Sequence, residues 1–360
     1  MSVSIPGGTA RDPGEVIASV PVALGFYPSD SLVLLTLREQ SGTDSRVVGL
    51  AARHDLLVPW EQLLDATAHA AAIAINDQAA SVLAVIVDST TDEIASRSRD
   101  SLHDRVVHSL VSTLACRGIT VDGAWATTQI AAGSRWWSLL GPDHTGAIPD
   151  PETTALARAY RQRRGPHAIH ASREHVADQL RVNPAVADRV RDTLSPPVPA
   201  QESHAIGDTA HETTPEQRRT MVAQLITRID AVAAGGELTP PEYAEAATVL
   251  RDRLVRESMF GLATTRRAEA AQQFWALLAR NLPDPDRAEA ATLLAFHAYL
   301  GGGGALAILA AEAALEANPD HAVARLLDLA LRTGLPPDQV RELADTGHAR
   351  AREIGVRLHD

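Results

Sequence analysis

Four polar residues near the N-terminus lie close to the ends of two apolar segments. Asp30 and Ser31 precede the run LVLLTL, and His54 and Asp55 follow the run VVGLAA. A serine, a histidine and a carboxylate are the groups of a hydrolase, and open α/β sheets bind ligands beside strand ends. His54 and Asp55 do not form a dyad with each other, because neighbours in a strand point to opposite faces.

Asp30 and Ser31 also fit a turn that starts a strand. Pro28 fixes its own φ, and an aspartate side chain bonds local amides in turns. No G-x-S-x-G elbow surrounds Ser31, and no base partner is identifiable. The turn is therefore favoured, with a ligand contact at the sheet edge and a nucleophile as the alternatives.

The stretch SRWWSLL contains the one adjacent tryptophan pair of a chain in which aromatic residues make up 4%. Trp136 and Trp137 must face opposite sides of a strand, so one enters the core and the other meets a helix, a partner or a ligand. Arg135 shares a face with Trp137, and an arginine beside an indole can recognise an anion or a planar ligand. The alternative is an indole under a helical layer with a solvated Arg135.

Three histidines, His167, His170 and His175, occur within the stretch HAIHASREH. His170 and His175 are five residues apart, which does not match the i,i+4 spacing of two metal ligands on a helix. We expect exposed histidines around a helix start with Ser172 as its cap, and no metal site. The chain also lacks G-x-G-x-x-G after a strand, a Walker loop, H-E-x-x-H and C-x-x-C, so its cofactors stay unknown.

The elements that must position these residues alternate between strands and helices over 1–194. Strands are predicted at 32–37, 47–52 and 81–88, with two more in ITVDGAWATT and SRWWSLL. Helices are predicted from Pro59 and from about Thr91, where apolar residues recur at helical spacing. This order predicts an α/β N-terminal domain with a mixed sheet.

The remainder of the chain is predicted to be helical. The segment 195–214 is rich in Pro, Ser and Thr and reads as a linker. Thr214 begins a capping box, and an all-α domain over 215–360 follows. Within it, residues 286–333 resemble one tetratricopeptide hairpin, with small residues that allow close helix approach and Asn318-Pro319 ending its second helix.

Composition limits the classes of function. The chain has 360 residues, a single cysteine and a formal charge of −12, and all 33 basic residues are arginine. The length predicts two domains, and the absence of a signal peptide and of a long apolar run predicts a cytoplasmic protein with no membrane partner. Because lysine is absent, no Schiff-base or phosphate-loop lysine exists. The net negative charge makes nucleic acid an unfavoured partner, and only the arginine cluster at 158–164 supports nucleic-acid binding.

Several of these motifs, taken in order, resemble the actinobacterial domain of unknown function 4192. They are EVIASVPVALGFYPSDSLVLLTL, SRWWSLL, ASREHVADQL and the closing stretch from LLAFHAYLGGGG. The resemblance covers nearly the whole chain and implies no activity, cofactor or partner. It implies cysteines shortly after the tryptophan pair, whereas LLGPDHTGAIPDP contains none, so no metal site is carried over.

The sequence thus favours a non-catalytic binding or regulatory protein. Its helical domain is expected to bind a protein partner, and its α/β domain to bind a small molecule through Arg135, Trp137, Asp30, Ser31 or His54. The alternative is an enzyme, such as a hydrolase, with its site at one end of the sheet.

Overall fold

The computed structural model describes residues 3–5, 8–10, 12–39, 46–155, 157–158, 169–194 and 213–358. His167, most of the arginine cluster at 158–164 and residues 195–212 of the predicted linker lie outside these ranges. The chain divides into two compact units. The first unit is Met1–Val176 with Ala330–Pro336, and the second is Ala177–Leu329 with Pro337–Asp360.

Among the described residues of the first unit, eight strands form one sheet. They are β1 (Val3–Ile5), β2 (Gly8–Ala10), β3 (Ser31–Glu39), β4 (Arg46–Asp55), β5 (Ser81–Val87), β6 (Thr120–Thr127), β7 (Arg135–Ser138) and β8 (Thr145–Ala147). The first helices are α1 (Pro13–Leu24), α2 (Trp60–Asn76), α3 (Glu93–Ser96), α4 (Leu102–Ala115), α5 (Arg173–Asp178) and α6 (Pro184–Thr193), and a 3₁₀ turn spans Pro151–Thr153.

The sheet is mixed and has the order β2-β1-β4-β3-β5-β6-β7-β8. Strand β3 is antiparallel to both β4 and β5, whereas β5 and β6 are parallel and are joined through α3 and α4. The ends of β4, β5 and β6 therefore meet the starts of β3 and β7 at one edge, which we call the carboxyl edge. The predicted α/β class with a mixed sheet is confirmed.

A single apolar cluster covers one face of this sheet. Helices α2 and α4 bury Leu63, Val106 and Leu110 against Leu32 and Ile86 of the strands. All seven residues of β5 are buried, which explains why the strand is continuously apolar. The cluster holds α4, and hence the segment before it, at a defined position over the carboxyl edge.

A buried carboxylate ties the end of α2 to β3 and β4. Asp77 accepts hydrogen bonds from the Thr36 hydroxyl, the Arg38 guanidinium and the Leu50 amide. Its side chain is 0% exposed. A Cβ on Gly49 would lie 2.1 Å from Asp77 Oδ2, so glycine is required where the strand passes over this charge.

The second unit is helical. Besides α6 its helices are α7 (Pro215–Ala233), α8 (Pro240–Leu250), α9 (Arg253–Met259), α10 (Ala268–Asn281), α11 (Arg287–Leu300), α12 (Gly304–Ala317), α13 (Ala322–Arg332, whose last residues belong to the first unit), α14 (Pro337–Val340) and α15 (Glu342–Glu353), with a 3₁₀ turn at Phe260–Thr264. The predicted capping box at the start of α7 is confirmed, because Gln217 N donates to Thr214 Oγ1 at 3.2 Å and Thr214 N donates to Gln217 Oε1 at 2.7 Å.

The core of the second unit encloses a histidine. His297 Nδ1–H donates to the Leu293 carbonyl at 2.8 Å, and Nε2 accepts from the Trp275 indole N–H at 3.4 Å. Burial lowers the pKa of His297 to about 4. Both nitrogens are satisfied by one neutral tautomer, so this histidine packs the core.

None of the helices among the described residues has both the length and the apolar character needed to span a bilayer.

Candidate functional site

A cleft opens at the carboxyl edge of the first unit. Its volume is about 700 Å³. One wall comes from the segment after β5, and the other comes from the segment between β6 and β7. The lining residues are Asp92, Glu93, Ile94, Thr128, Gln129, Ala132, Gly133, Ser134, Arg135 and Trp137. A cleft beside the ends of parallel strands is the usual place for ligands in α/β sheets.

Helix α3 forms the first wall and is held in place at each end. Asp92 caps it by accepting a hydrogen bond from Ala95 N at 2.8 Å. Ser96 Oγ accepts from the Trp137 indole N–H. Arg97 donates to the carbonyls of Ser138 at 3.2 Å and His144 at 3.1 Å. The wall is therefore preorganised although it is only one turn long.

Arg135 supplies positive charge at the second wall. Its guanidinium lies 3.2 Å from Glu93 Oε2, and its side chain is 69% exposed. Glu93 also pairs with Arg97 at 3.0 Å. One carboxylate thus pairs with two guanidinium groups. In the described part of the chain, Arg135 pairs with no second carboxylate.

The approach to Arg135 is a tight loop. Gly133 adopts a φ of +79°, a conformation that favours glycine. Gly133 N donates to the Ile148 carbonyl at 2.9 Å, and Ile148 N donates to the Ser134 carbonyl at 2.8 Å. These two bonds fix the loop against the end of β8, so Arg135 begins its strand from a rigid support.

The two neighbouring tryptophans take opposite faces, and both are buried. Trp137 is 3% exposed and belongs to the cluster under α2 and α4, with one side against the cleft. Trp136 is 4% exposed and packs over Gly14 and Gly146, where an added Cβ would lie 3.1 Å and 2.7 Å from its Nε1. Trp137 therefore forms part of the cleft wall.

Asp30 fastens the start of β3 to the segment after β5. It adopts a φ of +44°, which aspartate tolerates better than most residues. Its Oδ1 accepts from Ser89 N at 3.0 Å and from Ser89 Oγ at 2.8 Å. Its backbone carbonyl accepts from Leu56 N at 2.9 Å. These bonds join three strand ends at the carboxyl edge.

Ser31 is linked to Asp55 through an arginine. Its hydroxyl donates to the Ser29 carbonyl at 2.5 Å and accepts from Arg53 Nε at 2.8 Å. Arg53 pairs with Asp55 at 2.6 Å. A guanidinium cannot take a proton from a serine, so this arrangement orders the edge and does not activate Ser31.

His54 faces α2, where its ring meets His69 with centroids 5.3 Å apart. Burial, followed by the charges of His69 and Arg53, lowers the pKa of His54 to about 4. Its Nε2 has no hydrogen-bond partner among the described residues, and no hydrogen bond joins it to Ser31 within that part of the chain. The predicted residues therefore fall into four separate groups: Arg135 with Trp137, Asp30 with Ser89, Ser31 with Arg53 and Asp55, and His54 with His69.

The sequence analysis missed a buried pair at the same edge. Asp88 Oδ2 lies 3.0 Å from His103 Nε2, and Asp88 Oδ1 accepts from Thr90 N at 2.9 Å and Thr90 Oγ1 at 2.7 Å. The Nδ1 atom of His103 has no partner in the described part of the chain. Asp88 directly follows the apolar strand β5. A polar residue at the end of a buried strand is the sequence signal that could have identified this site.

Burial lowers the pKa of His103 although Asp88 opposes the shift. For Asp88 burial acts to raise the pKa, but hydrogen bonds from Thr90 and His103 outweigh it and lower the value. The pair is thus a carboxylate beside a neutral imidazole, with Nε2–H donating to Asp88 and a lone pair on Nδ1.

The comparisons place the chain in a family. The model described as "Domain of unknown function (DUF4192)" matches residues 13–338. The chain belongs to the DUF4192 family. No curated protein and no solved structure matches it. The family match includes the cleft and most of the helical unit of this DUF4192 member.

Among the described residues, no group of three His, Cys, Asp or Glu side chains is placed to hold a metal ion. The cysteine of this chain, Cys116, is exposed at the end of α4. What the carboxyl edge offers a ligand is hydrogen-bond donors and one partly neutralised guanidinium, whereas the Nδ1 lone pair of His103 is buried.

Proposed function

We propose that this DUF4192 protein is a non-catalytic cytoplasmic binding protein whose α/β unit binds a small anionic molecule. The observation that carries the proposal is Arg135, an exposed guanidinium in the cleft that shares one carboxylate with a second arginine. A guanidinium recognises carboxylate or phosphate through paired N–H donors. A ligand anion would complete its charge pairing.

The neighbouring lining supports a small ligand. Gln129, Thr128 and Ser134 add an amide and hydroxyls, and Trp137 closes one side with an apolar surface. A few polar groups around a concave surface are typical of sites that fix the orientation of a metabolite.

For the helical unit we propose a protein partner. A groove of about 480 Å³ lies beside one face of α12, where Leu309, Glu312, Ala313 and Glu316 recur at i, i+3, i+4 and i+7. Helical hairpins commonly present such faces to partner segments. From the family resemblance we also propose that residues 286–333 form a tetratricopeptide-like hairpin and that the protein is of actinobacterial origin.

The cleft proposal is tested by titrating the full chain with acetate and with inorganic phosphate. The reporter is the indole N–H resonance of Trp137, assigned with Trp137→Phe, and the Trp275 resonance serves as an internal reference. We expect a saturable shift of the Trp137 signal that Arg135→Gln removes.

The matched control is Arg191→Gln, because Arg191 is also an exposed, carboxylate-paired arginine. An unmoved Trp137 signal with both anions, or an unchanged response in Arg135→Gln, would contradict the proposal.

A second candidate function is catalysis at the same edge, as a hydrolase. The observation that favours it is the Asp88–His103 pair, since an oriented neutral imidazole with a lone pair is a general base. In that case the full chain hydrolyses p-nitrophenyl acetate, and His103→Gln lowers the rate about 100-fold. His108→Gln, on the exposed side of the same helix, is the control. Equal rates in both variants would rule out His103 as the base.

A further inference from the structure

The lip of the cleft carries an unusual apolar residue. Ile94 is 84% exposed, the largest exposed fraction of the large hydrophobic side chains in the described chain. Single exposed apolar residues are common on protein surfaces and need no function. Ile94 differs from that case because it lines a cleft and stands on a turn that its neighbours hold rigid.

Each neighbour of Ile94 is engaged. Asp92 caps the helix, Glu93 pairs with Arg97 and Arg135, and Ser96 accepts the Trp137 indole N–H. A side chain on such a support loses little conformational freedom when a ligand covers it, so its apolar surface converts efficiently into affinity.

The charged and apolar features lie next to each other. Glu93 contacts Arg135 at 3.2 Å, and Ile94 is the following residue. Arg135 and Ile94 both line the cleft, so a ligand whose anionic group lies on Arg135 can place an apolar group against Ile94. A single guanidinium fork matches the two oxygens of a carboxylate.

We infer that the cleft selects a carboxylate attached to a compact apolar body, with the carboxylate on Arg135 and the apolar body over Ile94. This inference rests on the proposed function and names the chemical class of its ligand. Gln129 and Ser134 would bind polar groups at the opposite wall.

The test compares acetate with phenylacetate on the full chain, with the Trp137 indole N–H as reporter. Both probes carry the same charge, and phenylacetate adds an apolar ring. We expect phenylacetate to bind about tenfold more tightly, as burial of roughly 60 Å² of apolar surface implies. Ile94→Ser should reduce that preference to about twofold. Arg135→Gln should weaken binding of both probes.

The control is Ile75→Ser, which removes another exposed isoleucine of the same unit. Equal affinities for the two probes, or a preference for phenylacetate that survives Ile94→Ser, would overturn the inference. Weaker binding of both probes to Arg135→Gln would still support the anion site. If neither probe moved the Trp137 signal, the proposed function itself would fail along with the inference.

Discussion

Two arginine–carboxylate clusters in the first unit use the same chemistry in opposite surroundings. At Asp77, the carboxylate is 0% exposed and receives a hydroxyl, a guanidinium and a backbone amide. At Glu93, the carboxylate is 29% exposed and is divided between two arginines beside an open cleft. In the first cluster the carboxylate is sealed although Arg38 reaches the surface, and in the second the carboxylate itself faces solvent.

The difference shows how burial separates a structural charge from a binding charge. A buried carboxylate must have every lone pair satisfied by the protein, because an unmade bond there is expensive. An exposed carboxylate can share its partners with water or with a ligand at little cost. Substitutions at the Asp77 cluster should therefore change stability more than substitutions at the Glu93 cluster.

Asp77→Ala should lower the free energy of unfolding of the first unit by on the order of 3 kcal/mol. The substitution removes the carboxylate partner of the Arg38 guanidinium and one acceptor each from the Thr36 hydroxyl and the Leu50 amide, which still bond to each other, and it creates a small cavity. Urea unfolding of the full chain, followed by the tryptophans of the first unit, measures the change. A loss below about 1 kcal/mol would show that the cluster behaves like a surface ion pair.

The comparison of buried and exposed ionisable groups also applies to His297, a buried side chain that is uncharged. Burial lowers its folded-state pKa to about 4, below the ordinary histidine value of about 6.5. Between these values the unfolded chain binds more protons, so stability falls as the pH is lowered from about 6.5 to 4, by about 3 kcal/mol.

The measurement is unfolding of the second unit at several pH values, with NMR titration of the imidazole signals. Protonation of His297 near pH 6.5 in the folded state would refute the prediction.

Gly49→Ala should destabilise the first unit by about 2 kcal/mol, because its Cβ would meet the buried Asp77 carboxylate and overpack the site. Gly304→Ala is the matched control, since no atom lies within 4 Å of the added Cβ. It should be neutral or slightly stabilising, as alanine favours helix. Thermal unfolding compares the two, and equal effects would contradict the idea that Asp77 imposes glycine.

Glu93→Ala should change stability by less than about 1 kcal/mol. It should also tighten acetate binding by about threefold, because a negative charge is removed beside Arg135. Glu245→Ala, which removes another arginine-paired carboxylate, is the control. Weaker acetate binding in Glu93→Ala would show that the main effect of Glu93 is to position Arg135, and not to compete with acetate for Arg135.

Local sequence signals predicted much of the fold. The apolar strands, the α/β order and the capping box at Thr214 follow from periodicity and from residues three apart. No helix was assigned at Pro13–Leu24, where Pro21 lies inside the helix and local propensity opposes it. Its residues Ile17 and Val20 are fully buried, so tertiary packing outweighs the local penalty.

The site was predictable only in part. Arg135 and Trp137 were named because an arginine and an indole two residues apart share a strand face, and both line the cleft. Glu93 and Ile94, on the opposite wall, carried no local signal. Asp88 and His103 are 15 residues apart, and their contact depends on how α4 crosses over β5.

The sequence by itself determined the α/β class, the helical remainder and the residue types available for chemistry. It did so because secondary structure follows from spacings of two to four residues along the chain. Only the tertiary structure decided which polar groups are sealed and which remain open. Thr36 and Asp77 are 41 residues apart yet share a hydrogen bond, whereas Arg135 meets Glu93 in the cleft. Burial depends on how helices and strands pack together. It distinguishes the Asp77 carboxylate, which stabilises the fold, from the Arg135 guanidinium, which is available to a ligand.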